Sequence, residues 1–335
     1  MVRHAGAHGH GAYGASPVAV LGMHRSGTSL TTRVLNILGV ELGSHERLRG
    51  ATVENPDGYW EHRGLMEVNI ELLRRLGGDG RRVPDLPGQW WEDAAFEDLR
   101  ERAQSVFREM GGDRPWGWKD PRTTVTLPFW RELVPSLRVV ECVRHPLEVY
   151  DSLRRRHPCL TRGEALTWWA RFCEIFEASR GDTPVLVSDY AAWHHDAHAE
   201  ADRLREFIGL EPDPDALEAA AASVRVDLHR NIRSARELRS RRVPENVREL
   251  YDRLLTTAGP VSRAAREADG AARDVHVQPF YRRHFLDLPR LLRPRCYRHV
   301  LTRTISSARR RILGRAGGQS NPAAVDIDRP RVHAP

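Results

Sequence analysis

The sequence has few cysteines, a single lysine and no long apolar run. Its cysteines lack the CxxC spacing of a metal site or redox pair; they are Cys142, Cys159, Cys173 and Cys296. We therefore expect buried thiols rather than disulfides or a metal centre. No apolar run is long enough to cross a bilayer, and segment 1–16, rich in histidine and glycine, lacks the apolar stretch of a signal peptide. We expect a cytoplasmic protein.

Lysine is almost absent, because only one of the 52 lysine and arginine residues, Lys119, is a lysine. An ammonium group is a compact point charge on a flexible stem, whereas a guanidinium is a planar fork. In a chain that uses arginine for its general cations, the exception is predicted to lie where a guanidinium does not fit. The alternative is a surface lysine with no special role.

Apolar runs and helical patterns alternate along a chain of 335 residues, of which 40% are apolar. This alternation predicts an α/β fold with a parallel sheet flanked by helices. The predicted strands lie at 18–21, 116–118, 137–143 and 185–187. The predicted organisation is a flexible leader (1–16), an α/β domain (17–258), a basic and mostly helical extension (259–313) and a disordered tail (314–335).

A glycine-bearing loop, Gly-Met-His-Arg-Ser-Gly-Thr-Ser at 22–29, follows the first apolar run and precedes a helical pattern. The N–H groups and the dipole of a helix start favour an anion at such a loop. The glycine spacing is that of a nucleoside-triphosphate P-loop, but Thr28 stands where that motif has its lysine. The loop is therefore predicted to bind phosphate or sulfate, with Arg25 as its cation. The alternative is a turn that binds nothing.

A second candidate anion site begins at Arg144, at the end of the third predicted strand. Ser152 and Arg156 lie about one turn apart on the helix that follows. Guanidinium and hydroxyl groups on two elements can hold one phosphate from two directions. In the alternative, the two arginines form surface ion pairs with Glu148 or Asp151.

Three cations, Arg25, Lys119 and Arg144, each lie at or just after the end of a predicted strand. Ligands of parallel α/β sheets bind beyond the carboxyl ends of the strands. These cations are therefore predicted to meet in one cleft, which favours a ligand with several negative charges.

The loop at 25–29 resembles the 5′-phosphosulfate loop of sulfotransferases that use 3′-phosphoadenosine 5′-phosphosulfate (PAPS), in the branch with an arginine in the loop. Arg144 and Ser152 keep the separation of that family's 3′-phosphate motif. The resemblance covers about residues 17–231 and includes the Gly-Tyr-Trp-Glu and Lys-Asp-Pro-Arg segments of the bacterial branch. It implies a P-loop-like fold and in-line transfer of the sulfuryl group, with a carboxylate base, to a hydroxyl or amine of a small-molecule, glycan or lipid acceptor.

The resemblance also implies roles for individual residues. Arg25 and Lys119 are expected to stabilise the departing phosphate. No metal is expected to be required, because a sulfuryl group carries less negative charge than a phosphoryl group. The expected ligands of PAPS are His24, Arg25, Ser26, Gly27, Thr28, Ser29, Arg144, Ser152 and Arg156.

The family takes its base from a glutamate soon after the first helix or from a histidine at a later strand end. The Lys-Asp-Pro-Arg segment offers no histidine, which favours the earlier loop. Glu61 is the first candidate, because it follows a Pro-Asp-Gly turn and precedes a helix that would fix its direction. Glu46, Glu54 and His62 remain alternatives, and the shorter spacing in the tyrosylprotein enzymes favours Glu46.

Two other functions stay open. A P-loop kinase of a small molecule is supported by the segment 185–189, whose aspartate at the strand end could hold magnesium, but Thr28 argues against it. A nonenzymatic polyanion binder could use the basic cleft and the arginine-rich segment 295–315. That segment also permits peripheral contact with the inner membrane surface. Nucleic acid is not expected, because the aromatic and basic pattern of an RNA-binding module is missing.

Overall fold

The structure is a computed structural model that describes residues 17–52, 55–78, 83–211, 213–225, 227, 229, 232–233, 235–240 and 243–271. Its strands form one parallel sheet in the order β2-β1-β3-β4, which confirms the predicted α/β sheet. The strands are β1 (Val18–Leu21), β2 (Gly117–Lys119), β3 (Arg138–Val143) and β4 (Val185–Asp189).

Helices connect and flank these strands. None of those in the described residues has both the length and the apolar character needed to cross a membrane. They are α1 (Thr28–Ile37), α2 (Arg63–Arg75), α3 (Glu97–Met110), α4 (Thr123–Leu133), α5 (Pro146–Arg156), α6 (Arg162–Ser179), α7 (Tyr190–His195), α8 (Ala197–Ile208), α9 (Pro214–Ala222), α10 (Ala235–Leu238), α11 (Glu245–Thr256) and α12 (Gly259–Ala271).

Strand β1 lies inside the sheet because its four apolar residues can be buried on both faces. Successive side chains of a strand point to opposite faces. Ala19 and Leu21 pack in a core with residues of α2, α3 and α4, whereas Val18 and Val20 pack with residues of α1, α8 and α9. Helices therefore cover both faces of the sheet.

The last described helices pack against the same domain. Leu250 and Leu254 of α11 belong to the core that contains Val143 of β3. Ser262 of α12 donates a hydrogen bond of 2.6 Å to the buried carboxylate of Asp189 at the end of β4. The described start of the predicted extension thus contacts the sheet, and the predicted domain limits stay predictions. The leader, the tail and residues 272–313, with the basic segment 295–315, lie outside the described residues.

The cysteines only partly follow the expectation from the sequence. Cys142 and Cys173 are buried free thiols, as expected. Cys159 is exposed and disulfide-bonded, so the expectation of a buried thiol is wrong for this residue. Its position after the end of α5 leaves it outside the apolar core that shields the other two. Cys296 lies outside the described residues.

Gly22 ends β1 with a φ of 128°. A Cβ atom there would lie 2.3 Å from the carbonyl oxygen of Cys142, whereas nothing lies within 4 Å of a Cβ at Gly39, whose φ is also positive. We expect Gly39→Ala to lower the free energy of unfolding by about 1–2 kcal/mol. We expect Gly22→Ala to lower it by roughly 4 kcal/mol or more, because the backbone of β3 must also move. Chemical denaturation measures both losses, and equal losses would contradict the steric argument.

Candidate active site

A cleft lies at the carboxyl end of β1, which has β2 on one side and β3 on the other. An open parallel sheet forms a crevice where the strand order reverses in this way. The cleft has a volume of about 530 Å³, which suits a small molecule. Among the predicted site residues, only Ser26, which is buried, does not line it. The lining includes His24, Arg25, Gly27, Thr28, Ser29, Glu61, Lys119, Arg144, Ser152 and Arg156.

The loop between β1 and α1 is held in a tight conformation. Arg25 and Gly27 both have left-handed backbones, with φ angles of 72° and 97°. The N–H of Gly22 donates to the Thr124 hydroxyl at 3.0 Å, which ties the loop to α4. Helix α1 begins at Thr28, and the first N–H groups of a helix have no acceptor within it. The first N–H groups of α1 can therefore donate hydrogen bonds to an anion bound at the loop.

The two anion sites predicted from the sequence are in direct contact. Nε of Arg25 donates a hydrogen bond of 2.9 Å to Oγ of Ser152, and Arg144 donates one of 3.4 Å to the carbonyl oxygen of Arg25. Burial, followed by the charge of Arg156, lowers the pKa of the Arg25 guanidinium below its ordinary value. An anion in the cleft would offset this crowding of like charges. The two sites thus form one cationic surface.

Arg144 is fixed by a carboxylate and an aromatic ring. Its Nε donates to Oε2 of Glu148 at 2.8 Å, and its guanidinium carbon lies 3.9 Å from the ring centroid of Tyr190. Burial alone would raise the pKa of Glu148, but His229, whose Nε2 lies 3.4 Å from Oε2, and the Arg144 charge outweigh it and lower that pKa. Both members of the pair are buried. The alternative of a surface ion pair with Glu148 is therefore wrong.

Tyr59 joins the second anion site to the loop before α2. Arg156 donates a hydrogen bond to the Tyr59 hydroxyl, and Arg49 stacks on the ring with its guanidinium carbon 3.9 Å from the centroid. Asp151, the other carboxylate considered as a surface partner, accepts from Arg233 at 2.8 Å. Sequence reasoning missed Tyr59, although it belongs to the Gly-Tyr-Trp-Glu segment that ends at Glu61.

Lys119 and Glu61 form a buried ion pair. Nζ of Lys119 donates to Oε1 of Glu61 at 2.8 Å, and the two side chains are 2% and 5% exposed. Arg49 donates to Oε2 of Glu61 at 3.3 Å. Each carboxylate oxygen has a second lone pair, so Glu61 can also accept a hydrogen bond from a substrate hydroxyl. The alternative of a surface lysine is wrong.

The other residues considered as a base do not line the cleft. Glu46 is exposed and lies in a short 3-10 helix outside it. His62 is buried near Gly43 and Gly64, and burial lowers its pKa. Glu54 lies outside the described residues. Among the described candidates, Glu61 is therefore the one that the fold brings to Lys119.

Asn69 of α2 connects the helix that follows Glu61 to the strand that ends at Lys119. Its amide nitrogen donates to Asp120 at 3.0 Å and to Thr123 at 3.1 Å. Its amide oxygen accepts from Trp130 at 3.0 Å, so the buried side chain is held from several directions. The sequence carries no signal for this residue, because its partners belong to elements far along the chain.

Comparison with known proteins identifies the family of this chain. A family model described as "Sulfotransferase family" matches residues 17–215, more than half of the chain. No curated protein matches the chain. The described residues contain no group of three histidine, cysteine, aspartate or glutamate side chains that could hold a metal ion.

Several solved structures are similar to this chain. Sulfotransferase STF1 from Mycobacterium tuberculosis has 16% identity and a TM-score of 0.41, over 63% of this chain and 71% of that chain. Sulfotransferase STF9 from Mycobacterium avium has 16% identity and a TM-score of 0.43, over 72% and 76%. Mouse sulfotransferase SULT7A1, complexed with PAP, has 13% identity and a TM-score of 0.35, over 77% and 89%.

Proposed function

Because the chain belongs to the sulfotransferase family, we propose that it transfers the sulfuryl group of PAPS to a hydroxyl or amine of an acceptor. The observation that carries the proposal is the buried Glu61–Lys119 pair in the same cleft as Arg25, Arg144 and Ser152. A base and several cations at one site are what sulfuryl transfer needs.

The cleft suits a nucleotide with phosphate groups at both the 3′ and the 5′ position of its ribose. Nη2 of Arg144, which lines the cleft, is buried and has no hydrogen-bond partner in the described part of the chain. Phosphate oxygens would supply acceptors for such groups. The lining of the cleft contains two carboxylates, Asp57 and Glu61, and a larger number of cationic side chains, so it is positively charged. The cationic side chains are Arg25, Arg33, Arg49, Lys119, Arg122, Arg144, Arg155, Arg156 and Arg225.

We assign the 5′-phosphosulfate to the loop at 25–29 and the 3′-phosphate to Arg144, Ser152 and Arg156. PAPS supplies an activated sulfuryl group when it is bound. Arg25 and Lys119 place positive charge in the cleft to stabilise the phosphate that leaves. The hydroxyl oxygen of the acceptor attacks sulfur in line while Glu61 takes the hydroxyl proton. The new bond joins the acceptor oxygen to sulfur, and the bond between sulfur and the phosphate oxygen breaks.

The kinase alternative loses its main support. Asp189, the aspartate considered as a magnesium ligand, is 1% exposed and does not line the cleft. Its oxygens accept hydrogen bonds from the N–H of Ala191 and the hydroxyl of Ser262.

The cytoplasmic location and the membrane contact through 295–315 stay predictions.

Thermal stabilisation by nucleotides tests the proposal. Adenosine 3′,5′-bisphosphate (PAP), the product of the reaction, should raise the melting temperature, because a ligand at about 100 times its Kd stabilises the folded state by about 2.7 kcal/mol. ATP with magnesium should have a much smaller effect, because it lacks the 3′-phosphate. Stabilisation by ATP and not by PAP would favour a kinase, and stabilisation by neither would favour a nonenzymatic binder.

A further inference from the structure

Several side chains of the cleft lining carry a buried polar atom without a hydrogen-bond partner among the described residues, and three of these atoms lie on separate elements. They are Nε2 of His24 in the loop after β1, Nη2 of Arg122 after β2, and Nε1 of Trp168 on α6. All three atoms are buried, and none has a hydrogen-bond partner within the described ranges. The three residues line the cleft and come from separate elements of the fold.

His24 and Trp168 lie close together, and Arg122 lines the same cleft as both of them and the proposed base. The His24 ring centroid is 5.6 Å from that of Trp168 and 5.7 Å from that of Phe172. Burial, followed by the charges of Arg122 and Lys119, lowers the pKa of His24 to about 3. Lys119 in turn holds Glu61 at 2.8 Å. His24, Arg122 and Trp168 therefore share one cleft with the Glu61–Lys119 pair.

These three side chains offer hydrogen bonds rather than net charge. His24 is neutral near pH 7 because of its low pKa, and Trp168 is always neutral. Arg122 already pairs with Asp120 at 3.1 Å. A buried polar group without a partner destabilises the folded protein, so three of them favour a ligand that satisfies them. A neutral group with several oxygen atoms fits this demand better than a further anion.

We propose that His24, Arg122 and Trp168 form the acceptor subsite and that it takes a polyhydroxylated acceptor. His24, which the resemblance implied as a ligand of PAPS, is thereby assigned to the acceptor instead. Hydroxyl groups beside the reacting one accept hydrogen bonds from Trp168 and Arg122, and neutral His24 donates or accepts one. The ring of Trp168 supplies an apolar surface for the carbon skeleton. This inference rests on the proposed function, because it places the acceptor at Glu61.

The transfer of radiolabelled sulfuryl from PAPS to matched probe acceptors tests the proposed class. The probes are the hexyl α- and β-glycosides of glucose, galactose and mannose, compared with 1-hexanol and 4-nitrophenol. We expect kcat/KM for at least one glycoside to exceed that for 1-hexanol by about 100-fold or more, because a site built to bind hydroxyls rejects analogues that lack them. Equal transfer to 1-hexanol or 4-nitrophenol would overturn the proposal, as would transfer to none of the probes by a protein that binds PAP.

A pair of variants tests the residues. Trp168→Phe keeps an aromatic ring but removes the N–H group, so KM for the preferred glycoside should rise about tenfold, the effect of one lost hydrogen bond of about 1.4 kcal/mol. The Kd of PAP should not change. Trp91→Phe, before α3 and outside the cleft, is the matched control and should leave both constants unchanged. An unchanged KM in Trp168→Phe would overturn the subsite, whereas wild-type protein that fails to bind PAP would contradict the proposed function itself.

Discussion

Glu61→Gln is expected to lower kcat by about 10²- to 10⁴-fold, the usual contribution of a general base. Glutamine has the shape of glutamate, and its amide oxygen can still accept the hydrogen bond from Lys119, which Glu61 accepts at 2.8 Å in the native protein. It cannot take a proton from the acceptor. Steady-state kinetics with PAPS and a working acceptor measure the loss, and calorimetric titration with PAP should give an unchanged Kd.

Two outcomes decide whether Glu61 is the base. Glu46→Gln removes an exposed carboxylate outside the cleft and should keep full activity, which makes it the matched control. Full activity in Glu61→Gln would contradict the assignment and return the role to Glu46, Glu54 or His62. A weaker affinity for PAP in Glu61→Gln would instead indicate that the substitution disturbs the cofactor site through Lys119.

Arg144→Gln is expected to raise the Kd of PAP by about 30-fold or more, because truncating one member of a buried charged contact costs about 2–5 kcal/mol. Arg144 lies against Tyr190 and presents a buried Nη2 with no partner among the residues described. Glutamine can still donate a hydrogen bond to Glu148, which limits the penalty of leaving that buried carboxylate alone. Calorimetric titration with PAP measures the change.

The control for this prediction lies on the same helix as Ser152. Arg154 is exposed on α5 and does not line the cleft, so Arg154→Gln removes the same charge from the surface. Its Kd for PAP should stay close to that of the wild type. The melting temperature of each unliganded variant shows whether the fold is intact. A folded Arg144→Gln variant that binds PAP normally would remove Arg144 from the 3′-phosphate site.

Much of the fold could be predicted from local patterns. The apolar runs that become β1 and β3 alternate with helical patterns, and parallel strands buried on both faces require such runs. Because parallel strands end at the same edge of a sheet, the placement of Arg25, Lys119 and Arg144 at strand ends was enough to predict their meeting in one cleft. The exclusion of Asp189 from that cleft was not predictable, because it depends on the packing of α12.

The sequence by itself determined the strand, loop and helix units, the cationic character of the cleft and the special position of the single lysine, because these follow from residue type and local spacing. The tertiary structure alone decided which side chains touch. Arg25 meets Ser152 across 127 positions and Lys119 meets Glu61 across 58. Such contacts require the helices to be positioned on the sheet so closely that donor and acceptor atoms come within hydrogen-bond distance. Local spacing in the sequence does not specify that packing.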